Sequence, residues 1–170
     1  VKQIEVFCNT HNVCIIADEV QSGFGRSGDF FAFQKYSITP HIISIAKGMG
    51  NGFPVGGILV NPVIKSKYGM LGTTFGGNHL ACSASLAVLQ VLEKEQLCHH
   101  AKAMGEYFVE KAKTLPFVKT IKGRGLMLGL EFEKEVGALR KELIFNHRIF
   151  TGGSSNKNLI RILPPLNVQK

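Results

Sequence analysis

Apolar runs and polar punctuation divide the chain into short strand-like stretches and longer helical ones. In residues 1–12 the apolar side chains of Val1, Ile4, Val6 and Phe7 mark one face of an amphipathic helix. Residues 13–17 (VCIIA) and 42–46 (IISIA) are short, uninterrupted and rich in β-branched residues, the pattern of strands buried on both faces of a parallel sheet. Residues 29–36 predict a short helix between them, and Pro40 punctuates before the second strand. Strand, crossover and strand make a βαβ unit, whose strands run parallel. Residues 56–60 predict another buried strand, and 61–72 a connector with a solvated, lysine-bearing face. Residues 80–93 are small and apolar almost all round, which predicts a buried helix. Residues 96–115 are amphipathic and end at Pro116. Strands are expected at 117–121 and 126–132 around a Gly-Arg-Gly turn, a helix at 135–146, and strands at 148–151 and 159–163. The pattern is α/β: a mainly parallel-sheet domain over 1–96 and a smaller α+β domain over 97–170.

Asp18 ends the first strand-like run and Lys47 ends the second. Parallel strands present their carboxyl ends on one sheet edge, where ligands of open α/β folds bind. A lysine between IISIA and GMGNGF is an odd place for a solvated charge, and partial burial would free its amine for Schiff-base chemistry. A carboxylate at the same edge suits pyridoxal phosphate, whose pyridinium nitrogen needs an anion. On spacing alone a second account stands beside this one, with Asp18 capping a loop and Lys47 snorkelling at the edge.

The loop after the first strand holds Gly23-Phe-Gly25-Arg-Ser-Gly28, which matches the dinucleotide fingerprint GxGxxG. That fingerprint requires an acid some twenty residues on, and after Asp29 no Asp or Glu occurs before Glu93. The better reading is a glycine-rich turn that lets Arg26 pack close to the cofactor edge, in its own chain or across a dimer. Residues 73–78 (TTFGGN) precede the helix at 80–93, and hydroxyls with free N–H groups at a helix start make a phosphate cradle. The plain alternative is N-capping by Asn78 with the threonines in a turn. Arg161 lies inside a short apolar strand, where it needs a partner unless it faces outward.

Composition narrows these readings. Of 170 residues, 45% are hydrophobic and 19% charged, ordinary globular material. The net charge is +8, from twenty basic and twelve acidic residues, yet the basic residues are scattered and form no basic helix face, so no nucleic-acid partner is expected. Cys8, Cys14, Cys82 and Cys98 form no CxxC pair, which fits reduced thiols in a cytoplasmic protein and neither a zinc site nor a disulfide framework. The six histidines show no ligand spacing, so no metal is expected. The sequence contains no membrane-length apolar run and no stretch with the pattern of a signal or transit peptide, and a start at Val1 is expected to hide any targeting sequence.

Three separated motifs, DEVQSGFGRSG from Asp18, TPHIISIAKGMGNGFPVGG from Thr39 and GTTFGGNHLAC from Gly72, resemble the class III (omega) aminotransferases among the fold-type I pyridoxal phosphate enzymes. With GRGLMLGLEFEKEV, RIFTGGS and LIRILPPL the resemblance covers nearly the whole chain and points to the subgroup acting on N-acetylornithine or N-succinylornithine. It implies that Asp18 binds the cofactor ring nitrogen, Gln21 contacts the ring hydroxyl, Lys47 holds the cofactor covalently, and Thr74 reaches the phosphate in a neighbouring subunit. Arg161 is implied at the substrate site. The implied reaction is ping-pong transfer of the terminal amino group of N2-acetyl- or N2-succinyl-L-ornithine to 2-oxoglutarate in arginine biosynthesis, by a homodimer. The runners-up are ornithine or 4-aminobutyrate as donor, and a non-catalytic fragment that keeps only the fold.

The resemblance begins midway through the family's large domain. It makes 1–96 the C-terminal half of the cofactor-binding domain and 97–170 a truncated small domain, a fragment expected to be inactive alone. The main phosphate loop, the ring-stacking aromatic and the carboxylate-binding arginine have no counterparts in this sequence. The family's usual TPD is Thr39-Pro40-His41, and its GGNP is Gly76-Gly77-Asn78-His79. The first change lies at a strand start; the second removes a proline suited to the first helical position.

Overall fold

The computed structural model describes residues 1–170, which divide into two compact units, Val1–Phe24 with Asp29–Gln96, and Gly25–Gly28 with Leu97–Lys170. The first unit contains helix α1 (Lys2–Thr10), strands β1 (Ile16–Asp18), β2 (Ile42–Ile45) and β3 (Gly57–Val60), and helix α2 (His79–Lys94). Its sheet has the order β1-β2-β3. β1 and β2 are parallel, with Asp18 opposite Ser44. β3 is antiparallel to β2, with Gly57 opposite Ile45.

The parallel pair forms where the β-branched runs predict it, but its environment differs. Ile16 is 61% exposed, and every residue of β3 is exposed. Within this chain these strands have cover on few of their side chains, because periodicity reports how apolar a face is and not what lies on it. Helix α2 shows the same departure: Ala81, Ser85 and Leu92 are buried while Leu80, Leu86 and Val91 are exposed. The crossover helix is also shorter than expected, a 3₁₀ turn over Ala32–Tyr36. Its first amides are already taken: Phe31 N donates to Gln34 Oε1 at 2.8 Å, and Ala32 N and Phe33 N donate to Glu19. Ser37 then leaves in the left-handed region at φ 50°, which ends the turn.

The second unit contains α3 (Leu97–Lys113), β4 (Val118–Arg124), β5 (Met127–Phe132), α4 (Gly137–Phe145) and β6 (Leu159–Ile162). Its sheet is antiparallel with the order β4-β5-β6. Leu126, Leu128, Leu130, Val136 and Ile160 are buried, as are Ala101 and Ala112 of α3, so alternate β5 side chains form the core. The strand expected at 148–151 is absent: Arg148 adopts φ 59°, outside the β region. Arg140 of α4 holds the Thr151 carbonyl at 3.0 Å, and the remaining strand contact is one bridge between Gly152 and Arg161.

Gly25–Gly28 follows β1 in sequence yet belongs to this second unit. Leu126 N donates to Arg26 O at 3.0 Å, and Arg26 Nη1 donates to the carbonyls of Leu126 and Pro164. Burial lowers the Arg26 pKa from its ordinary value. The glycine turn therefore packs within its own chain, through Leu126 and Pro164. The turn leads through bends at 28–31 into the 3₁₀ segment, not an α-helix, so the pyrophosphate cradle of a dinucleotide site has no helix start to form on.

Candidate active site at the carboxyl edge

The parallel register carries Asp18 to the carboxyl end of β1, while β2 ends at Ile45, two residues before Lys47. Ser44 Oγ donates to Asp18 Oδ1 at 3.2 Å, and Val20 N donates to the same oxygen at 3.1 Å. Both bonds fall on Oδ1, so Oδ2 keeps its lone pairs for a ligand. The ladder extends one residue beyond the strand, because Glu19 N donates to Ser44 O at 3.0 Å.

Lys47 opens a one-turn 3₁₀ segment, Lys47–Met49, at φ 45°. A lysine in the left-handed region is strained by about 1–3 kcal/mol, and such strain collects at functional sites. Partial burial is not what sets this lysine apart: Lys47 is exposed. Helix α2 packs against the Lys47–Met49 turn. At Gly48 an added Cβ would lie 3.3 Å from Phe24 Cβ, so the backbone beside Lys47 rests on the Phe24 side chain.

Gln21 is exposed in the turn that follows Asp18. Thr74 is exposed in the loop before α2. Thr73 Oγ1 accepts from Gly76 N at 3.1 Å, and Asn78 Oδ1 caps α2 by accepting from Ala81 N at 3.0 Å. The N-capping alternative is thus present, with an exposed Thr74 hydroxyl beside it. Arg161, in the second unit, is half-buried in β6 opposite Gly129, on the strand face away from buried Ile160. It exchanges backbone hydrogen bonds with Gly152 at 2.9 and 3.0 Å.

Two residues of this edge escape the motif reading. Ser44 holds Asp18 from the neighbouring strand. Glu19 is 3% exposed and accepts from Ser22 Oγ, Ala32 N and Phe33 N at 2.6, 3.0 and 2.9 Å. Two carboxylates in succession at a strand end must point to opposite sides, and this is the signal that could have separated a ligand-facing Asp18 from an inward Glu19. A cleft of about 280 Å³ lined by Cys8, Asn12, Cys14, His41 and Ile64 lies instead at the amino ends of β1 and β2.

Asp18 at the end of β1 and Lys47 two residues past β2 thus lie at the carboxyl edge of an α/β sheet, where ligands of such folds bind. Along residues 1–170 the chain matches the class-III aminotransferase family. It is 43% identical to the acetylornithine aminotransferase of Aquifex aeolicus over 99% of its own length and 44% of that protein's. Among solved structures it superposes on ornithine aminotransferase from Plasmodium yoelii with TM-score 0.89 and 31% identity, covering 99% of this chain and 47% of that one. It likewise superposes on acetylornithine aminotransferase from Elizabethkingia anophelis with TM-score 0.85 and 31% identity, covering 99% and 44%. The chain belongs to the class III aminotransferases, and its α/β architecture is that of the fold-type I transferases. It spans less than half the length of the curated relatives it matches.

Proposed function

We propose that the protein to which this chain contributes is a pyridoxal phosphate-dependent aminotransferase. The observation that carries the reading is the pairing of Asp18 and Lys47 at the carboxyl ends of adjacent parallel strands. The donor set fits the cofactor: a carboxylate with one oxygen spare for a ring N–H, an amine for an aldehyde carbon, and the Gln21 amide for a ring hydroxyl. Thr74, with its neighbour's hydroxyl already bonded to Gly76, would serve a phosphate, reached from a second copy in a homodimer. When bound, pyridoxal phosphate supplies an electron sink for the carbanion formed at the amino-bearing carbon.

Of this chain's residues, Asp18 would hold the ring nitrogen and keep it protonated. Lys47 would hold the cofactor's aldehyde carbon and, as a free amine, would carry the proton at the substrate carbon that bears the nitrogen. Arg161 contributes to substrate binding. The large-domain half over 1–96 carries the Asp18–Lys47 edge and the small domain over 97–170 carries Arg161.

The donor we assign is N2-acetyl- or N2-succinyl-L-ornithine, with 2-oxoglutarate as acceptor, in a cytoplasmic arginine-biosynthetic enzyme; the acetylornithine aminotransferase relatives support it. Ornithine is the second reading, supported by relatives named ornithine aminotransferase. Amino transfer to 2-oxoglutarate by the full-length protein, with acetylornithine, ornithine and 4-aminobutyrate offered separately, tests both. Turnover fastest with acetylornithine supports the first; turnover with none of the three overturns the function.

A further inference from the structure

Glu19 is a buried carboxylate for which the proposed chemistry has no use. Burying a charge is costly unless donors surround it, and here three do: the Ser22 hydroxyl and the amides of Ala32 and Phe33. These donors come from two places. Ser22 belongs to the turn that carries Asp18 and Gln21, and Ala32 and Phe33 begin the 3₁₀ segment that leads toward β2. The Glu19 backbone is engaged as well. Its N–H donates to Ser44 O and its carbonyl accepts from Gly23 N, both at 3.0 Å.

The turn held in this way ends at Phe24, 5% exposed, whose ring lies 5.2 Å from that of Phe30 and 6.1 Å from that of Phe31. A Cβ on Gly23 would stand 2.8 Å from Glu19 O and 3.3 Å from Phe31, so the turn has no slack. Phe24 in turn backs onto Gly48, the residue after Lys47. The carboxylate holds the amides of Ala32 and Phe33, next to Phe31, and the Glu19 carbonyl holds Gly23 N, so both ends of Glu19 lead through Phe24 to the backbone of the lysine turn.

We propose that Glu19 is a positioning residue that fixes the Asp18–Phe24 turn against the Lys47–Gly50 turn and so sets the approach of the Asp18 carboxylate to the Lys47 amine. The claim rests on the proposed function for its consequence and on the hydrogen bonds above for its geometry. Glu19→Gln keeps the shape but turns an NH2 group toward donors, leaving at least one of the three without an acceptor.

Two measurements on the intact protein test it, with Glu5→Gln as control. Glu5 of α1 is also buried and accepts a backbone N–H, that of Thr39 at 2.8 Å, ahead of the amino end of β2 and away from the carboxyl edge. The first is amide hydrogen exchange at Gly23 and Gly50, both buried and both bonded. The second is borohydride fixation of added pyridoxal phosphate, with peptide mass mapping of the fraction carried on Lys47. Glu19→Gln is expected to speed exchange at both glycines at least tenfold and to cut the Lys47 label about tenfold, while Glu5→Gln leaves both as in the parent. Unchanged exchange and label in Glu19→Gln overturn the claim, and so does an equal loss in Glu5→Gln, which would mean general loosening. If the parent protein shows no preference for Lys47, the proposed function fails and the exchange measurement alone decides the positioning role. If Glu19→Gln does not fold, Ser22→Ala, which removes the one side-chain donor to Glu19, is read by the same two measurements.

Discussion

Ser44 and Asp18 face each other across β1 and β2, and the Ser44 hydroxyl holds Asp18 Oδ1 at 3.2 Å. Since Val20 N holds the same oxygen, the carboxylate is fixed through one oxygen and open through the other. Ser44→Ala removes one of the two restraints in a partly exposed setting. The expected cost to stability is about 0.5 kcal/mol, read by urea unfolding. If Asp18 meets the cofactor ring, the loss of orientation is expected to weaken pyridoxal phosphate binding about fivefold, roughly 1 kcal/mol.

At Gly125, in the turn between β4 and β5, φ is +54° and an added Cβ would fall 2.4 Å from Ser27 C. Gly105 of α3 is as tight, with Gly125 O 2.1 Å from its built Cβ. In both cases the obstacle is backbone, which cannot swing aside as a side chain can. Gly125→Ala is expected to destabilise the second unit by about 2–3 kcal/mol, read as a lower urea midpoint with unchanged slope. Gly137→Ala, where a Cβ meets nothing within 4 Å, is expected to shift it by less than about 1 kcal/mol toward stability.

Asn78 caps α2 through its bond from Ala81 N, at a helix start without the proline of the related motif. Asn78→Ala is expected to cost about 1 kcal/mol and to fray the first turn, next to the loop that carries Thr74. Far-ultraviolet circular dichroism through a thermal scan reads the first effect, and His79→Pro is expected to recover part of it.

The Lys2 ammonium and the Thr39 N–H hold the Glu5 carboxyl below its usual 4.5. A depressed folded-state pKa stabilises the fold above the unfolded value and loses that contribution as pH falls through the folded one. Stability should therefore decline as pH drops below about 4.5, and Glu5→Gln should flatten that part of the profile. Glu131, lowered by Lys122 and Asn156, acts in the same direction, so the pH profile is to be compared between Glu5→Gln and the parent chain.

The parallel pair β1·β2 and the placing of Asp18 and Lys47 at its carboxyl edge were legible because uninterrupted β-branched runs signal parallel strands and chain direction then settles which ends coincide. The antiparallel course of β3 was not, since a four-residue apolar run carries no direction. Burial was over-read at Ile16, β3 and Leu80 for a related reason: an apolar pattern states a preference that this chain does not itself satisfy. Arg148 breaks the expected strand by a backbone torsion that no periodicity encodes. The inward side of Glu19 could be read from its alternation with Asp18, but its partners could not, because the amides of Ala32 and Phe33 are brought to it only by the fold.

The central claim is that Lys47 is the amine that takes up the cofactor, and a visible absorbance spectrum with added pyridoxal phosphate, for the full-length protein and for its Lys47→Ala variant, tests it most directly. A visible band that requires Lys47 and is discharged by an amino donor is the expected result. Identical spectra from the two proteins would contradict it.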